Sequence, residues 1–300
     1  MSRAKTRLAQ SLSAGKSVLT AECLPPASSD PEAVRRLAAQ FTSAVDAVVV
    51  SENHHETRGS ALACAALLAA QKLEPVLPLS TRDRNRVALE SDVIGASSLG
   101  VRNFLCLTGL HQRLGASAPA ASVYDLDSTQ LIEGLGMMAE KGLGLNGKRL
   151  DNSPELFVGA TAHPHLTPIE LSILQLRKKV LAGAEVVWTD PIFDVPAFES
   201  WMAAVRTAGL DKKVAIIASV LPLSSPKQAE FVRTKPAGKG ITDVMIERLG
   251  KPTNGTSPGV AIAAELIGRI KAIPGVRGVH LLTGGAEALT GQLIASAGLA

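Results

Sequence analysis

Short segments that are almost continuously apolar alternate along the whole chain with longer segments of helical periodicity. Residues 45–51 are typical, with four valines among seven residues. A strand that helices cover on both faces is expected to look like this, which favours a parallel sheet. Predicted strands begin at Val18 and cover residues 45–51, 75–80, 103–109, 155–161, 185–189, 213–220 and 278–283. Predicted helices cover residues 31–41, 57–72, 84–98, 127–141, 167–182, 196–208, 241–249 and 258–272, with a last helix from Ala286.

About eight strand-helix units with no second compositional block predict a single α/β domain, a (β/α)8 TIM barrel over residues 1–300. Residues 1–16 are expected to form an amphipathic N-terminal helical extension, and the helices at 241–249 and 258–272 are extra elements before the last strand. An open, doubly wound sheet is the alternative, although no G-x-G-x-x-G motif follows the first strand. In a barrel, the active site lies at the carboxyl ends of the strands.

The composition disfavours several classes of partner. The net charge is only +4 and aromatic residues make up 3% of the chain, so there are few platforms for stacking bases and nucleic acid is not expected. The longest apolar run, residues 60–70, is shorter than the ~18 residues of a membrane span, and no apolar signal core follows the basic first residues. Cys23, Cys64 and Cys106 are odd in number and widely spaced, which indicates neither a disulfide framework nor a zinc site and favours a cytoplasmic protein.

One carboxylate, Glu22, lies among apolar residues where the first predicted strand stops before Pro25 and Pro26. Burial in such surroundings disfavours the charged form of a carboxyl group and raises its proton affinity. Glu22 is therefore a candidate general acid. The alternative is a structural ion pair between Glu22 and an arginine of a neighbouring loop, since such pairs also shift proton affinities.

The predicted strand ends form a ring at one mouth of the barrel. Its members are Glu22, Ser51, Ser80, Thr108, Thr161, Asp190, Leu221 and Thr283. Small hydroxyl and glycine residues let a planar ligand approach the backbone closely. Of the cations after the third strand, Arg82 is the predicted ligand contact, whereas Arg84 and Arg86 are expected to form surface or inter-helix ion pairs. Residues 177–179, Arg-Lys-Lys, form either an anion site or a solvated helix face, and the sequence leaves both open.

The histidines give a weak metal signal. His163 and His165 are two residues apart in a predicted loop without a third ligand of defined spacing, so no metal site is predicted. The weaker metal candidates are His54, His55 and His111, and His280 is expected to be a core histidine because it alternates with apolar residues. Asp125 and Asp127 are predicted to cap the helix that follows them, with a cofactor contact as the alternative.

Several strand-end segments resemble those of the methylenetetrahydrofolate reductase family of FAD-dependent barrels. Residues 20–26, Thr-Ala-Glu-Cys-Leu-Pro-Pro, resemble its glutamate-aromatic-Pro-Pro signature, and residues 80–86, Ser-Thr-Arg-Asp-Arg-Asn-Arg, resemble its T-C-R-D-R-N segment. Residues 91–109, 180–198 and 278–280 continue the similarity in order over nearly the whole chain. Residues 107–112 and 124–128 are most similar to the branch found in acetogenic bacteria.

The resemblance implies a (β/α)8 barrel in which reduced FAD transfers a hydride to the methylene carbon of 5,10-methylenetetrahydrofolate, giving the 5-methyl form. Glu22 matches the family's general acid, which protonates a pterin nitrogen as the five-membered ring opens. The implied cofactor contacts are Ser51, Ser80, Arg82, Leu107, Thr108, Gly109, Tyr124, Asp125, Thr161, His163, Gln175, Lys178 and Lys179. The implied substrate contacts are Glu22, Asp190 and Phe193.

The sequence departs from the family pattern mainly at substrate contacts. Leu110 replaces an aspartate that grips the pterin, and Asp190 replaces a glutamine. Pro226 replaces a stacking aromatic, Ala286 an arginine and Pro78 a histidine. We hypothesise that the Asp190 carboxylate binds the amino edge of the pterin in place of the missing aspartate, because that edge asks for two acceptor oxygens.

These departures leave three functions open. The first is flavin-dependent reduction of a methylene group on a tetrahydrofolate-like carrier, as in methionine biosynthesis, with electrons from NAD(P)H or from a redox partner subunit. Loss of the aromatic at Pro226 disfavours direct use of NADH. The second is a flavin-binding subunit of a redox complex that no longer reduces folate, and the third is a flavin-free pterin-binding barrel for methyl transfer. A homo-oligomer is compatible with each of them.

Overall fold

A computed structural model describes residues 4–41, 44–53, 56–115, 117–251 and 257–299. The strands are β1 (Val18–Cys23), β2 (Ala47–Val50), β3 (Pro75–Ser80), β4 (Asn103–Leu107), β5 (Phe157–Ala162), β6 (Val186–Pro191), β7 (Ala215–Val220) and β8 (Val276–Leu281). The helices are α1 (Arg7–Ser13), α2 (Pro31–Ala38), α3 (Ala61–Ala70), α4 (Arg86–Ser98), α5 (Ser128–Lys141), α6 (Ile169–Leu181), α7 (Val195–Thr207), α8 (Pro226–Arg233), α9 (Asp243–Leu249), α10 (Pro258–Lys271) and α11 (Leu289–Ser296). None of these helices is long and apolar enough to span a membrane.

The eight strands form a closed parallel barrel. Each strand pairs with its neighbours in chain order, and β8 pairs with β1. At this closure Val18 lies opposite Gly278 and Ala21 lies opposite Leu281. The closure confirms the predicted (β/α)8 barrel and excludes the open, doubly wound sheet.

Alternation of side chains along the strands builds two separate apolar cores. Outward-pointing strand residues such as Phe104 pack with helix residues such as Phe198 and Trp201. Inward-pointing residues such as Leu105 and Phe157 fill the barrel. Because successive strand residues face opposite sides, a continuously apolar strand contributes to both cores at once.

The N-terminal helix α1 closes the end of the barrel at which the strands begin. Leu8 and Leu12 belong to the interior core, and the helix starts after Thr6, which caps it. The Glu74 carboxylate accepts hydrogen bonds from the backbone N–H groups of Arg7 at 2.6 Å and Leu8 at 2.8 Å. An acidic group is favourable at this positive end of a helix. The helical extension predicted over residues 1–16 is thus present, within narrower bounds.

Helix α8 is absent from the predicted elements. It begins at Pro226 after Ser225, whose hydroxyl accepts from the Gln228 backbone N–H. A serine followed by a proline at the first helical position is a recognised start signal. The helix is eight residues long and only Ala229 in it is buried, so it carries no apolar periodicity that could have revealed it.

Trp188 fills the barrel interior below the mouth. Its indole N–H donates to the Thr20 hydroxyl at 3.1 Å, which gives the buried polar atom of the ring a partner. Gly159 on the adjoining β5 makes room for the ring, since a Cβ there would lie 2.4 Å from Trp188 Cζ3 and 2.9 Å from Val186 Cγ1. Packing, rather than backbone conformation, therefore requires this glycine.

We expect Gly159→Ala to lower the free energy of unfolding by roughly 1–3 kcal/mol, the usual cost of overpacking a core. Gly136→Ala is the matched control, because no atom lies within 4 Å of the position its Cβ would take in α5. Alanine in a helix interior should raise stability by about 0.5–1 kcal/mol. Urea unfolding followed by circular dichroism measures both changes. Unchanged stability of Gly159→Ala would contradict the packing argument.

Candidate active site

Glu22 is the last inward-facing residue of β1, and both of its carboxylate oxygens are hydrogen-bonded. Oε1 accepts from the Ser51 hydroxyl at 2.5 Å. Oε2 accepts from the backbone N–H groups of Thr283 and Gly284, each at 2.9 Å, and from the Thr283 hydroxyl at 3.4 Å. The carboxylate from the first strand is therefore held by the ends of β2 and β8.

The immediate surroundings of this carboxylate are polar, contrary to the apolar environment expected from the sequence. Ala21 and Cys23, its neighbours in the chain, are fully buried in the outer core because adjacent strand residues face opposite sides. Glu22 is half-buried at the mouth. Its hydrogen-bond partners among the described residues include no arginine, so the ion pair considered as the alternative is not formed with them.

The floor of the mouth is a buried polar layer. His280 Nδ1 lies 2.9 Å from the Thr20 hydroxyl, and the strand register places Ser219 on the other side of His280. Burial lowers the pKa of His280 to about 4, against the opposing influence of the Glu22 charge. His280 is thus a neutral core histidine near pH 7, as predicted. The Ser219 hydroxyl is buried without a hydrogen-bond partner in the described chain.

Glu52 ties the ends of β2 and β3 together. Its carboxylate accepts from the Ser80 backbone N–H at 3.0 Å and from Arg84 at 2.5 Å. Burial raises the pKa of Glu52, and Arg84 acts in the opposite direction. The Ser80 hydroxyl is buried with no partner among the described residues. Beside it, Gly109 has φ +85°, and a Cβ there would lie 2.5 Å from Ser80 Oγ and 2.8 Å from Arg82 Cβ, so only glycine fits.

Arg82 is buried at the mouth, and the protein already binds most of its guanidinium group. Nε and Nη2 donate to the Asp83 carboxylate at 2.8 and 2.7 Å, and Nη2 also donates to the Asn53 carbonyl at 2.8 Å. The hydrogen bonds from Arg82 hold the pKa of Asp83 below its ordinary value. Nη1, 3.4 Å from the Leu110 carbonyl, is the least occupied nitrogen that a ligand could use.

Arg84 and Arg86 form ion pairs, as predicted. Arg84 binds Glu52 and a second carboxylate in α4. Arg86 donates to Asp125 from Nε at 2.9 Å and Nη2 at 3.0 Å, and these bonds lower the pKa of Asp125 to about 2. Asp125 also accepts from the Arg86 backbone N–H, so it binds the start of α4, whose N-cap is Asn85, and does not cap the following helix as predicted. Asp127 does cap that helix, α5, through a capping box.

His163 and Asp190 form a pair at the mouth. It lies across from Glu22, because His163 directly follows β5, which is four strands from β1 in either direction around the barrel. His163 Nδ1 lies 2.9 Å from Asp190 Oδ2, and the two side chains are 43% and 31% exposed. The Lys179 ammonium donates to the Thr161 carbonyl at 2.7 Å. Burial lowers the pKa of Lys179, and the charge of Asp190 partly offsets this. The structure thus brings three residues implied as cofactor contacts, Thr161, His163 and Lys179, together with Asp190, which was implied as a substrate contact.

Tyr124 has an unusual backbone for a residue other than glycine, with φ +45°. Its N–H donates to the Thr81 carbonyl at 3.1 Å, and the Val123 N–H donates to the Arg82 carbonyl at 2.7 Å. These bonds fasten the loop after β4 to the loop after β3. The tyrosine ring, which is 36% exposed, is thereby held near Arg82 in a conformation that costs free energy and is typical of functional positions.

The other predicted contacts have different surroundings. The Thr108 hydroxyl accepts from the Ser128 backbone N–H at 3.2 Å. Gln175 and Lys178 are exposed on α6. Phe193 is 3% exposed and belongs to the outer core, so a substrate contact there would have to disturb core packing. Leu107, implied as a cofactor contact, is partly buried and packs against the interior core.

No group of three His, Cys, Asp or Glu side chains is placed to bind a metal ion in the described chain. His165 Nε2 lies 3.1 Å from the Pro191 carbonyl. The weaker candidates His54 and His55 fall outside the described residues.

A cavity of about 710 Å³ lies at the opposite end of the barrel. Residues of α1 line it together with the beginnings of β5 and β7, for example Phe157 and Ala215. Barrels carry their chemistry at the carboxyl ends of the strands. We therefore assign the candidate site to the mouth that contains Glu22.

Sequence reasoning misses two groups at this mouth, Glu52 and Gly284. Glu52 directly follows a predicted strand, but its loop offered no distinguishing motif. The signal for Gly284 was the Gly284–Gly285 pair after the last strand. Both glycines have positive φ, +55° and +89°, and such turns direct successive backbone N–H groups toward an anion.

Comparison with protein families agrees with the strand-end motifs. The family model described as methylenetetrahydrofolate reductase matches residues 7–298. The chain belongs to the methylenetetrahydrofolate reductase family.

One curated relative of this methylenetetrahydrofolate reductase family member matches over a short segment. Methylenetetrahydrofolate reductase 2 from Saccharomyces cerevisiae is 30% identical over 82 residues, which are 25% of this chain and 13% of the yeast protein. The match thus spans a small part of that curated relative's length.

Two solved structures show the shared fold. An uncharacterized protein from Clostridium thermocellum, which binds two copies of 5-methyl-5,6,7,8-tetrahydrofolic acid, has a TM-score of 0.65 at 15% identity, covering 97% of this chain and 98% of that chain. 2,3-Dimethylmalate lyase, of the PEP mutase/isocitrate lyase superfamily, has a TM-score of 0.53 at 14% identity, covering 97% and 84%. At these identities the likeness concerns the fold alone. Family membership rests on the family model, which matches residues 7–298.

His280 should make the stability of the fold depend on pH. Its pKa is about 4 in the folded protein and about 6.5 in an unfolded chain, so between these values the unfolded state binds more protons. The stabilisation by neutral His280 is complete above about pH 6.5 and falls by up to about 1.4 kcal/mol per pH unit as the pH drops through this window. His280→Gln should remove this slope. Urea unfolding of both proteins across the window tests it, and parallel stability curves would contradict it.

Proposed function

We propose that the protein is a cytoplasmic, flavin-dependent reductase that converts 5,10-methylenetetrahydrofolate, or a related one-carbon pterin, to the 5-methyl form. The observation that carries this proposal is the hydrogen-bonded Glu22 at the mouth of a barrel of the methylenetetrahydrofolate reductase family. It is in line with the Clostridium thermocellum protein of similar fold, which binds 5-methyltetrahydrofolate.

Glu22 is the proposed proton donor. Opening the five-membered ring of the substrate breaks a carbon–nitrogen bond, and the released nitrogen needs a proton. The carbon that was bridged becomes an iminium carbon, which accepts a hydride to form the methyl group. Among the described residues, the hydrogen bonds of Glu22 run to hydroxyls and to backbone amides rather than to a fixed cation, so its proton can be given up and replaced.

FAD, when bound in reduced form, supplies the hydride. Two features of the mouth suit a flavin: the buried Ser80 hydroxyl lacks a partner among the described residues, and Gly109 presents a backbone that no Cβ could cover. Ser80, Gly109 and Thr161 would hold the ring system and its ribityl chain, and Lys179 and Arg82 would hold the phosphates. The other proposed contacts are Ser51, Leu107, Thr108, Tyr124, Asp125, His163, Gln175 and Lys178.

Asp190 is the proposed binding group for the amino edge of the pterin. Its Oδ2 is bound by His163, and its Oδ1 has no hydrogen-bond partner within the described residues. A partly exposed carboxylate with one oxygen available can accept hydrogen bonds from the N–H groups of the pterin edge. Leu110, at the position of the family's aspartate, has no side-chain acceptor for them. The proposed contact of Phe193 with substrate is indirect, through the packing beneath this edge.

The electron donor is proposed to be NAD(P)H or a redox partner subunit. Pro226, at the position of the family's stacking aromatic, is the first residue of α8 and offers no aromatic face to a nicotinamide. A partner subunit is favoured for that reason.

A second candidate function is pterin binding for methyl transfer by a flavin-free barrel. The observation that favours it is the pairing of Arg82, Arg84 and Arg86 with carboxylates. These pairs leave few cationic donors for a diphosphate. An absorption spectrum of the purified protein separates a flavoprotein from a flavin-free barrel.

Glu22→Gln should lower the rate of methylenetetrahydrofolate reduction by roughly 10²–10⁴-fold, the usual contribution of a general acid. The flavin spectrum should stay unchanged, because glutamine keeps the shape of the side chain. Anaerobic stopped-flow with the photoreduced flavoprotein measures reoxidation by methylenetetrahydrofolate directly. Glu140→Gln, an exposed position in α5, is the control. A wild-type rate for Glu22→Gln would refute the acid role.

Asp190→Ala should weaken binding of 5-methyltetrahydrofolate by roughly 10–100-fold, since a hydrogen bond to a charged group contributes about 1.5–3 kcal/mol. Isothermal titration calorimetry measures the affinity, and the flavin content is recorded for each sample. Asp151→Ala, on an exposed loop, is the matched control. Unchanged folate affinity with flavin bound would show that Asp190 does not hold the pterin edge.

A further inference from the structure

The two oxygens of the Glu22 carboxyl group are not equally able to hold a proton, because their hydrogen-bond partners differ. Oε2 accepts from the backbone N–H groups of Thr283 and Gly284, both at 2.9 Å. A backbone N–H can only donate, so a proton on Oε2 would compete with these two donors for the lone pairs of the same oxygen and weaken their hydrogen bonds. Leaving such groups unpaired is costly. The transferable proton of Glu22 is therefore carried by Oε1.

Oε1 has one hydrogen-bond partner among the described residues, the Ser51 hydroxyl at 2.5 Å. A hydroxyl group donates and accepts at the same time. Ser51 can therefore take the proton from Oε1 while it gives its own proton to a third group.

The backbone holds Ser51 in place on both sides. Its own N–H donates to the Cys23 carbonyl at 2.9 Å, which continues the pairing of β1 with β2. The side chain of the next residue, Glu52, is 8% exposed and bound to the Ser80 N–H and to Arg84. Ser51 is half-buried, and it lies two positions nearer the mouth than Val49, the residue opposite Glu22 in the strand register. It is thus a fixed hydroxyl between the carboxyl group and the space above it.

We propose that Ser51 relays the proton from Glu22 to the substrate nitrogen, an inference that rests on the proposed reduction. As the carbon–nitrogen bond of the five-membered ring breaks, the nitrogen keeps the electron pair and takes the hydroxyl proton of Ser51. The Ser51 oxygen takes the proton from Glu22 Oε1, and Glu22 is left as a carboxylate bound by the amides after β8. Hydride addition to the carbon is a separate step. Ser51 is then a catalytic residue, in addition to the flavin contact proposed above.

The test is single-turnover reduction of methylenetetrahydrofolate by the reduced holoenzyme in mixtures of H₂O and D₂O. A relay moves two protons in one step, so the wild-type rate should depend quadratically on the deuterium fraction, whereas direct transfer from Glu22 gives a linear dependence. Ser51→Ala should be slower by about 100-fold, with a linear dependence and little change in substrate affinity. Ser51→Thr keeps the hydroxyl and should retain most of the rate together with the quadratic dependence.

Each remaining outcome overturns a defined claim. A linear dependence in the wild type with an almost unchanged rate in Ser51→Ala would overturn the relay and leave the reductase function intact. Equal loss of rate in Ser51→Ala and Ser51→Thr would also overturn it, because the hydroxyl would then matter only for packing. A wild-type protein that takes up no flavin, or that binds flavin and folate without reduction, would overturn the proposed function and the relay together.

Discussion

The parallel pairing of β1 with β8 creates the environment of the candidate acid. Glu22 and Thr283 are 261 positions apart in sequence, and only closure of the barrel makes them neighbours. In an open sheet, β1 and β8 could lie at different edges, and the carboxylate would lose the two amides that fix Oε2. Closure also removes the exposed strand edges of the sheet. The same constraint that completes the fold therefore decides which oxygen of Glu22 can carry a proton.

The barrel interior changes from apolar to polar along its axis, and this order determines where charge can reside. Leu8 of α1 closes one end, and Trp188 fills the space above it. The indole N–H then binds Thr20, which contacts His280. Burial keeps His280 neutral near pH 7, so this layer separates the apolar interior from the mouth without adding charge. The charge nearest to a ligand from this part of the barrel is then that of Glu22.

The strand pattern predicts the fold well because each apolar segment is a local signal, and the strand bounds differ from the structure by few residues. Helix α8 was missed because it is short and polar. The position of Glu22 was predicted, but its polar surroundings were not, since Ser51 and Gly284 reach it through long-range pairing that no local pattern encodes. The Arg82–Asp83 pair, by contrast, could have been predicted from the sequence, because the two opposite charges are adjacent. Such a pair indicates that the Arg82 guanidinium group is not free. The burial of Phe193 was not predicted, because it results from helix packing, which no local pattern encodes.

Pterin binding at Asp190 and proton donation from Glu22, the two roles proposed for the mouth, constrain one another. Asp190 lies across the barrel from Glu22, with the closed ring of strands fixing both positions. A pterin whose amino edge is bound at Asp190 must extend toward β1 and β2 for its ring nitrogen to meet a proton donor. The group that projects from β2 is Ser51, and Oε2 of Glu22 is turned away toward the amides after β8. Ser51 lies two positions nearer the mouth than Val49, the residue opposite Glu22 in the strand register, and this order of hydroxyl and acid is what the proposed relay requires.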